Sequence, residues 1–136
     1  MSKNGRYSAD RKKVEALTAN KTVEVSDCGT IFTAVGDAAI TLSLPNIADA
    51  GPGWWCKVVK TGAAAGGEDI TISATSGDGS TPIMGVEASA TPAVMDGDDI
   101  VIANAANKGT QVELVCDGTN WIALGHGALA AAITIS

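Results

Sequence analysis

Short β-prone segments recur along this chain at intervals of roughly 10 to 14 residues, each closed by glycine, proline, aspartate or asparagine. Ile40-Thr-Leu-Ser-Leu alternates cleanly, with Ile40, Leu42 and Leu44 on one face and Pro45 as the stop. Trp54-Trp-Cys-Lys-Val-Val-Lys is aromatic and β-branched, the strongest single strand signal. Ile31-Phe-Thr-Ala-Val, Ile70-Thr-Ile-Ser-Ala and Ile100-Val-Ile-Ala follow the same rule. Gln111-Val-Glu-Leu-Val-Cys and Trp121-Ile-Ala-Leu flank Asp117-Gly-Thr-Asn, a hairpin signal. Residues 46–53 read as a loop with room for one helical turn. No segment is long enough for a crossover helix, so a parallel α/β fold is disfavoured. The expected fold is all-β, a compact antiparallel sandwich or barrel-like body.

Residues 1–20 break this pattern. They are polar, and Asp10-Arg-Lys-Lys-Val-Glu-Ala-Leu allows a turn or two of helix capped by Asp10 or Ser8. Too few apolar residues are present to fix it on a core, so an extended arm is expected. The reading divides the chain into a basic arm (1–20), a β-rich body (21–127) and a C-terminal β segment (128–136), the last open to exchange between subunits. With 136 residues the body holds one core. Alanine is the commonest apolar residue and phenylalanine occurs once. Burying alanine removes little apolar area, so a thin core is expected, supplemented by surface buried between subunits.

Charge is divided as sharply as pattern. Residues 1–21 carry six basic side chains against two acidic ones, and the remainder carries three against thirteen. A basic arm therefore precedes an acidic body. The arm could meet phosphates, but the body would repel a duplex and only Tyr7 offers stacking, so nucleic acid is not expected as a partner. No apolar run approaches the length of a membrane span, and the polar, basic start does not read as a signal peptide, so no membrane partner is expected.

The residues that carry chemistry are few. His126, the single histidine, is flanked by glycines and lacks an evident orienting partner, so it reads as a loop or interface residue. Cys28, Cys56 and Cys116 match no zinc spacing and read as free, buried thiols, with a Cys56–Cys116 bridge as the alternative. Asp96, Asp98 and Asp99 resemble half of a calcium loop without its glycine and distant glutamate, and read as a solvated turn. The stretch Gly62-Ala-Ala-Ala-Gly-Gly-Glu lacks a following lysine and helix, and reads as a flexible connection. No catalytic residue, metal or cofactor is therefore expected. Adjacent tryptophans on a strand point to opposite faces. One of Trp54 and Trp55 then belongs in the core, and the other is an interface anchor or a sugar-stacking platform, with the interface favoured.

Several motifs in this order resemble small decoration proteins of tailed bacteriophages, also called capsid cement or head-stabilising proteins. The first is Tyr7-Ser-Ala-Asp-Arg-Lys-Lys-Val-Glu-Ala-Leu-Thr-Ala-Asn-Lys-Thr, followed by Asp27-Cys-Gly-Thr-Ile-Phe. Ile40-Thr-Leu-Ser-Leu-Pro, Ala48-Asp-Ala-Gly-Pro-Gly-Trp-Trp-Cys-Lys and Val115-Cys-Asp-Gly-Thr-Asn-Trp continue the likeness. Residues 75–98 match it least. The resemblance implies a structural, non-enzymatic protein on the outer surface of the virion capsid, made in the host cytoplasm. It implies a homotrimer whose partner is the major capsid protein. On that reading Lys3, Arg6, Tyr7, Arg11, Lys12 and Lys13 contact the capsid. Trp54, Trp55, Ile133 and Ile135 are expected at the trimer interface. Two other readings compete. A head-fibre or tail-fibre domain binding host glycans would need a groove lined with aromatics, which are scarce here. An enzyme of lysis or DNA processing would need clustered titratable groups.

Overall fold

A computed structural model of the chain describes residues 11–63, 67–74, 83–88, 93–129 and 131–135. They form two open sheets. The seven-stranded sheet runs β1 (Lys13–Leu17), β3 (Thr30–Ala34), β5 (Trp55–Lys60), β10 (Gln111–Cys116), β11 (Trp121–His126), β7 (Ile83–Ala88) and β8 (Ala93–Gly97). The five-stranded sheet runs β12 (Ile133–Ile135), β9 (Asp99–Ile102), β6 (Ile70–Ser73), β4 (Ile40–Ser43) and β2 (Lys21–Thr22). One single-turn helix, α1 (Ile47–Ala50), starts where the Asn46 side chain accepts the Ala48 N–H at 2.9 Å. The fold is thus mostly β, as expected, but neither sheet closes into a barrel.

The strand directions correct the expectation of an antiparallel body. From β1 to β6 the chain steps between the two sheets at every strand, so β1, β3 and β5 lie parallel in one and β2, β4 and β6 in the other. A parallel pair needs a crossover of about a dozen residues or more, usually a helix. Here the strand in the opposite sheet is the crossover. Lacking helices therefore excluded a doubly wound fold but not parallel pairing. The second half is mostly antiparallel: β10 pairs with β5 and β11, and β9 with β6 and β12, while β7 lies parallel to β11.

The start of the chain also departs from expectation. Residues 13–17, expected in the arm as coil or a helical turn, form β1 at the sheet's edge. Val14 and Leu17 suit one face of a helix, but the strand uses the other period available. Lys13, Glu15 and Leu17 share a side, and Leu17 reaches the core while the two charged residues stay at its rim. Residues 1–10, with Lys3, Arg6 and Tyr7, lie outside the described residues.

The core lies between the sheets and is fuller than the composition suggests. Phe32, Leu42, Val58, Ile70, Ile72, Ile100, Ile102 and Leu114 are wholly buried. Among the described residues, alanine contributes Ala34, Ala74, Ala106, Ala123 and Ala132 to the core cluster. Trp54 packs edge-on against Trp121, with ring centroids 5.5 Å apart, and its indole N–H donates to the Val25 carbonyl at 2.9 Å. At the hairpin between β10 and β11, Asp117 Oδ1 accepts N–H groups from Thr119 and Asn120 at 2.8 and 2.6 Å. Gly118 there has a φ of 96°, open to glycine at little cost.

Lys60 joins the two sheets. It shares a side of β5 with Cys56 and Val58, and its residue is 1% exposed. Its ammonium donates to the carbonyls of Asn104 and Ala103, which follow β9, at 2.6 and 3.3 Å. The Asn104 N–H donates in turn to Asp69 Oδ1 at 2.8 Å, just ahead of β6. Gly36 gives the lysine stem its room, because a Cβ there would sit 2.9 Å from Lys60 Cε. Gly62 and Gly67 approach the Val35 and Gly36 carbonyls too closely for any side chain. The described ends of the glycine-rich stretch therefore pack against Val35 and Gly36, and residues 64–66, the middle of the expected flexible connection, lie outside the described residues.

All three thiols are free, and Cys28 is exposed, where a buried thiol was expected. Cys56 stands opposite Leu114, so Cys116 is its diagonal neighbour, about 7–8 Å away and beyond disulfide reach. Burial pushes the Cys56 thiol far above its ordinary pKa. A thiol reagent at neutral pH should modify Cys28 in the folded protein, and Cys56 and Cys116 only after denaturant is added, as counted by mass spectrometry. Lys60→Met keeps the stem but takes the ammonium donor from the part-buried Ala103 and Asn104 carbonyls. It should lower stability in urea by about 1–2 kcal/mol, with an unchanged denaturant slope.

Candidate interaction surface

The alternation that buries one side of each strand turns the other side out. On the seven-stranded sheet the outward residues align in rows across β1, β3, β5, β10 and β11. The middle row is Val14, Ile31, Lys57, Glu113 and Leu124. Trp55, Val115 and Ile122 flank it on one side, and Ala16, Thr33, Val59, Gln111 and His126 on the other. Val14 is 61% exposed, Ile122 45% and Leu124 47%. Lys57 Nζ and Glu113 Oε2 meet at 3.6 Å near the middle of this face. A shallow hollow of about 320 Å³ opens beside them, lined by Lys57, Gln111, Glu113, Leu124 and His126. A second, of about 360 Å³, lies on the other side of His126, against Asn107–Thr110. Apolar surface of this breadth on a single chain makes the face a candidate contact surface.

Sequence reading missed this face, though β11 carries a signal for it. Trp121, Ile122, Ala123 and Leu124 are apolar at both parities, and a strand apolar on both sides is normally covered on both. The tryptophan pair divides as expected. Trp54 is buried at 3% exposure, and Trp55 is half-buried on the outer face. Lys12 Nζ stands 5.5 Å from the Trp55 ring centroid, so the basic start of the chain reaches the same face.

The other residues expected at contacts are scattered. Ile133 is buried at 3% in the chain's own core, and β12 pairs with β9 of the same chain through Ile133–Ile135. Neither Trp54 nor Ile133 therefore offers its side chain to a neighbour. Arg11 is exposed. Lys13 is tied into a charged cluster where β1 meets the turn Val25–Asp27: its Nζ lies 3.2 Å from Asp27 Oδ1. Lys21 Nζ lies 2.8 Å from Glu15 Oε1 and 3.7 Å from Asp27 Oδ2. The Glu24 N–H donates to Asp27 Oδ2 at 2.9 Å. Lys13, expected at the capsid, is thus engaged within the body, together with Lys21.

This cluster shifts its own titration. Burial alone would raise the Asp27 pKa, but the Glu24 N–H and the Lys13 and Lys21 ammoniums outweigh it and hold the carboxyl below its ordinary value. Lys21 is held above its ordinary value by Glu15 first, against the opposing effect of burial, with Asp27 adding to the rise. Among the described residues, no three His, Cys, Asp or Glu side chains converge to hold a metal ion. Nor is any helix there long and apolar enough to cross a membrane.

Because its folded pKa is depressed, Asp27 stabilises the fold above the ordinary carboxylate value of about 3.9, and this is lost as pH falls through the lower, folded value. Asp27→Asn should cost about 1–2 kcal/mol near neutral pH, and its difference from wild type should shrink below about pH 4. Urea titrations across that range check the slope. No protein-family model matches the chain, and comparison with curated proteins found no relative of it.

Proposed function

We propose that this chain is a structural protein of a tailed-bacteriophage head, bound to the outer surface of the icosahedral shell. There it ties neighbouring major capsid subunits together. The observation that carries this reading is where the basic segment joins the body. Arg11 and Lys12 lead into β1, the edge strand of the seven-stranded sheet, and are exposed beside its apolar outer face. The segment ahead of them adds Lys3 and Arg6. The rest of the chain is strongly acidic, so the basic start is the part suited to an acidic protein surface. The order of the decoration-protein motifs supports the same reading.

The work such a protein does is passive. Packed DNA pushes the shell outward, and a clip that binds two or more capsid subunits resists their separation. Each contact need only be modest, because several joined copies multiply it by avidity. A homotrimer on the head would draw on contacts other than Trp54 and Ile133.

Deletion of residues 1–10 tests the reading without cutting into β1. Co-sedimentation with undecorated tailed-phage heads should fall by at least about tenfold in affinity, and Arg11→Glu with Lys12→Glu in the full chain should weaken it most at low salt, the deficit shrinking as salt rises. Undiminished binding by both variants would sink the arm as the grip.

A further inference from the structure

We propose that the outer face of the seven-stranded sheet is an isologous contact, by which two copies of this chain pair face to face. The inference stands apart from head binding and rests on the arrangement of charge and apolar surface on that face. In strand order, the middle row reads apolar, apolar, Lys57, Glu113, apolar, with Val14 and Ile31 on one flank and Leu124 on the other. The two charges sit on adjacent, directly paired strands. A two-fold axis parallel to the strands and midway between β5 and β10 exchanges these strands between copies. It sets Lys57 against the second copy's Glu113, and Glu113 against its Lys57. The same rotation sets Ile31 over the second copy's Leu124, Trp55 over its Val115, and Thr33 over its His126. Self-complementarity of this kind is what a two-fold interface requires. An axis across the strands would instead oppose Lys57 to Lys57, so charge selects between the two orientations.

The existing ion pair leaves room for this exchange. At 3.6 Å it is longer than the roughly 2.7–2.9 Å of a charge-assisted hydrogen bond, and both side chains remain partly exposed. The hollow beside the pair faces the second copy's Ile31, Lys57 and Val59 in this arrangement and can receive a lysine stem. Stacked sheets pack about 10 Å apart, close enough for these side chains to meet. Five strands about 4.8 Å apart and about 17 Å long cover roughly 400 Å² of flat sheet, half of a standard interface per partner. The pairing is accordingly weak, and concentration controls it.

The test is a charge-reversal pair measured by sedimentation velocity between about 1 µM and about 1 mM. Wild type should double its mass as concentration rises. Lys57→Glu alone opposes glutamate to glutamate at both contacts, and Glu113→Lys alone opposes lysine to lysine. Each should weaken pairing by at least about tenfold. Mixing the two variants restores opposite charges at both contacts, so the mixture should pair at least as well as wild type. An ion pair that acted only within one chain would give no such rescue. Leu124→Ser should also weaken pairing, and circular dichroism verifies that each variant is folded, since an exposed ion pair contributes little to stability. A single-copy mass throughout the range, a trimer indifferent to both reversals, or a mixture no heavier than its components overturns the proposal.

Discussion

Every parallel pair in the first half of this chain is bridged by a strand in the opposite sheet. That constraint shapes the rest. Neither β1-β3-β5 nor β2-β4-β6 can form alone, because each crossover of one ladder is a strand of the other. The two sheets are therefore halves of one cooperative unit, and the core between them is condensed as the chain winds. The winding also explains why the outer face of the seven-stranded sheet stays bare. In a helix-bridged parallel sheet the crossovers cover the outside. Here they run along the inside, and of the described chain it is the Lys12 side chain that reaches over this face, at Trp55.

Lys60 shows how such a stack is closed at an end. A buried ammonium costs a great deal unless it is well hydrogen-bonded. Its partners are two carbonyls beyond β9 rather than a carboxylate, so it is satisfied only when both sheets are in place. The Asn104 N–H on Asp69 extends the link to the approach of β6. An apolar residue would bury as much surface without demanding this register. The lysine thus contributes specificity: a slipped pairing of the sheets would strand its charge. The same reasoning applies at the opposite rim, where Asp27 is satisfied only if β1, β2 and the turn before β3 converge.

What was legible in the sequence was local. The alternation of Ile40, Leu42 and Leu44, the Asp117 turn, the single turn of helix after Asn46 and the split of Trp54 from Trp55 each depend on neighbours within a few residues. What was not legible was which strands would neighbour one another. Parallel partners such as Thr30 and Cys56 are far apart in sequence, and no turn chemistry joins them. Residues 83–88 and 93–97 form β7 and β8 without having been anticipated as strands, since glycine and acidic residues interrupt their pattern. Lys13 and Val14 were misassigned because a four-residue amphipathic stretch satisfies both helical and strand periods. Lys60 could have been found: it lies in phase with Trp54, Cys56 and Val58, and a lysine at a core parity needs a buried partner. The outer face could have been found in the same way from β11.

The placement of charge ties these points together. The contrast between a basic start and an acidic body is real in the sequence, but the fold divides the basic residues by role. Lys13 and Lys21 neutralise Asp27 and Glu15 and hold β1 to the body, whereas Arg11 is exposed and Lys12 reaches over Trp55. A residue held in the first group gives up an ion pair if it turns to a partner, and Asp27 is then left with one lysine and the Glu24 N–H. A residue in the second group loses little by being rehydrated or captured. On the proposed reading, contact with the capsid begins at Arg11 and Lys12, the basic side chains here that no ion pair holds to the body.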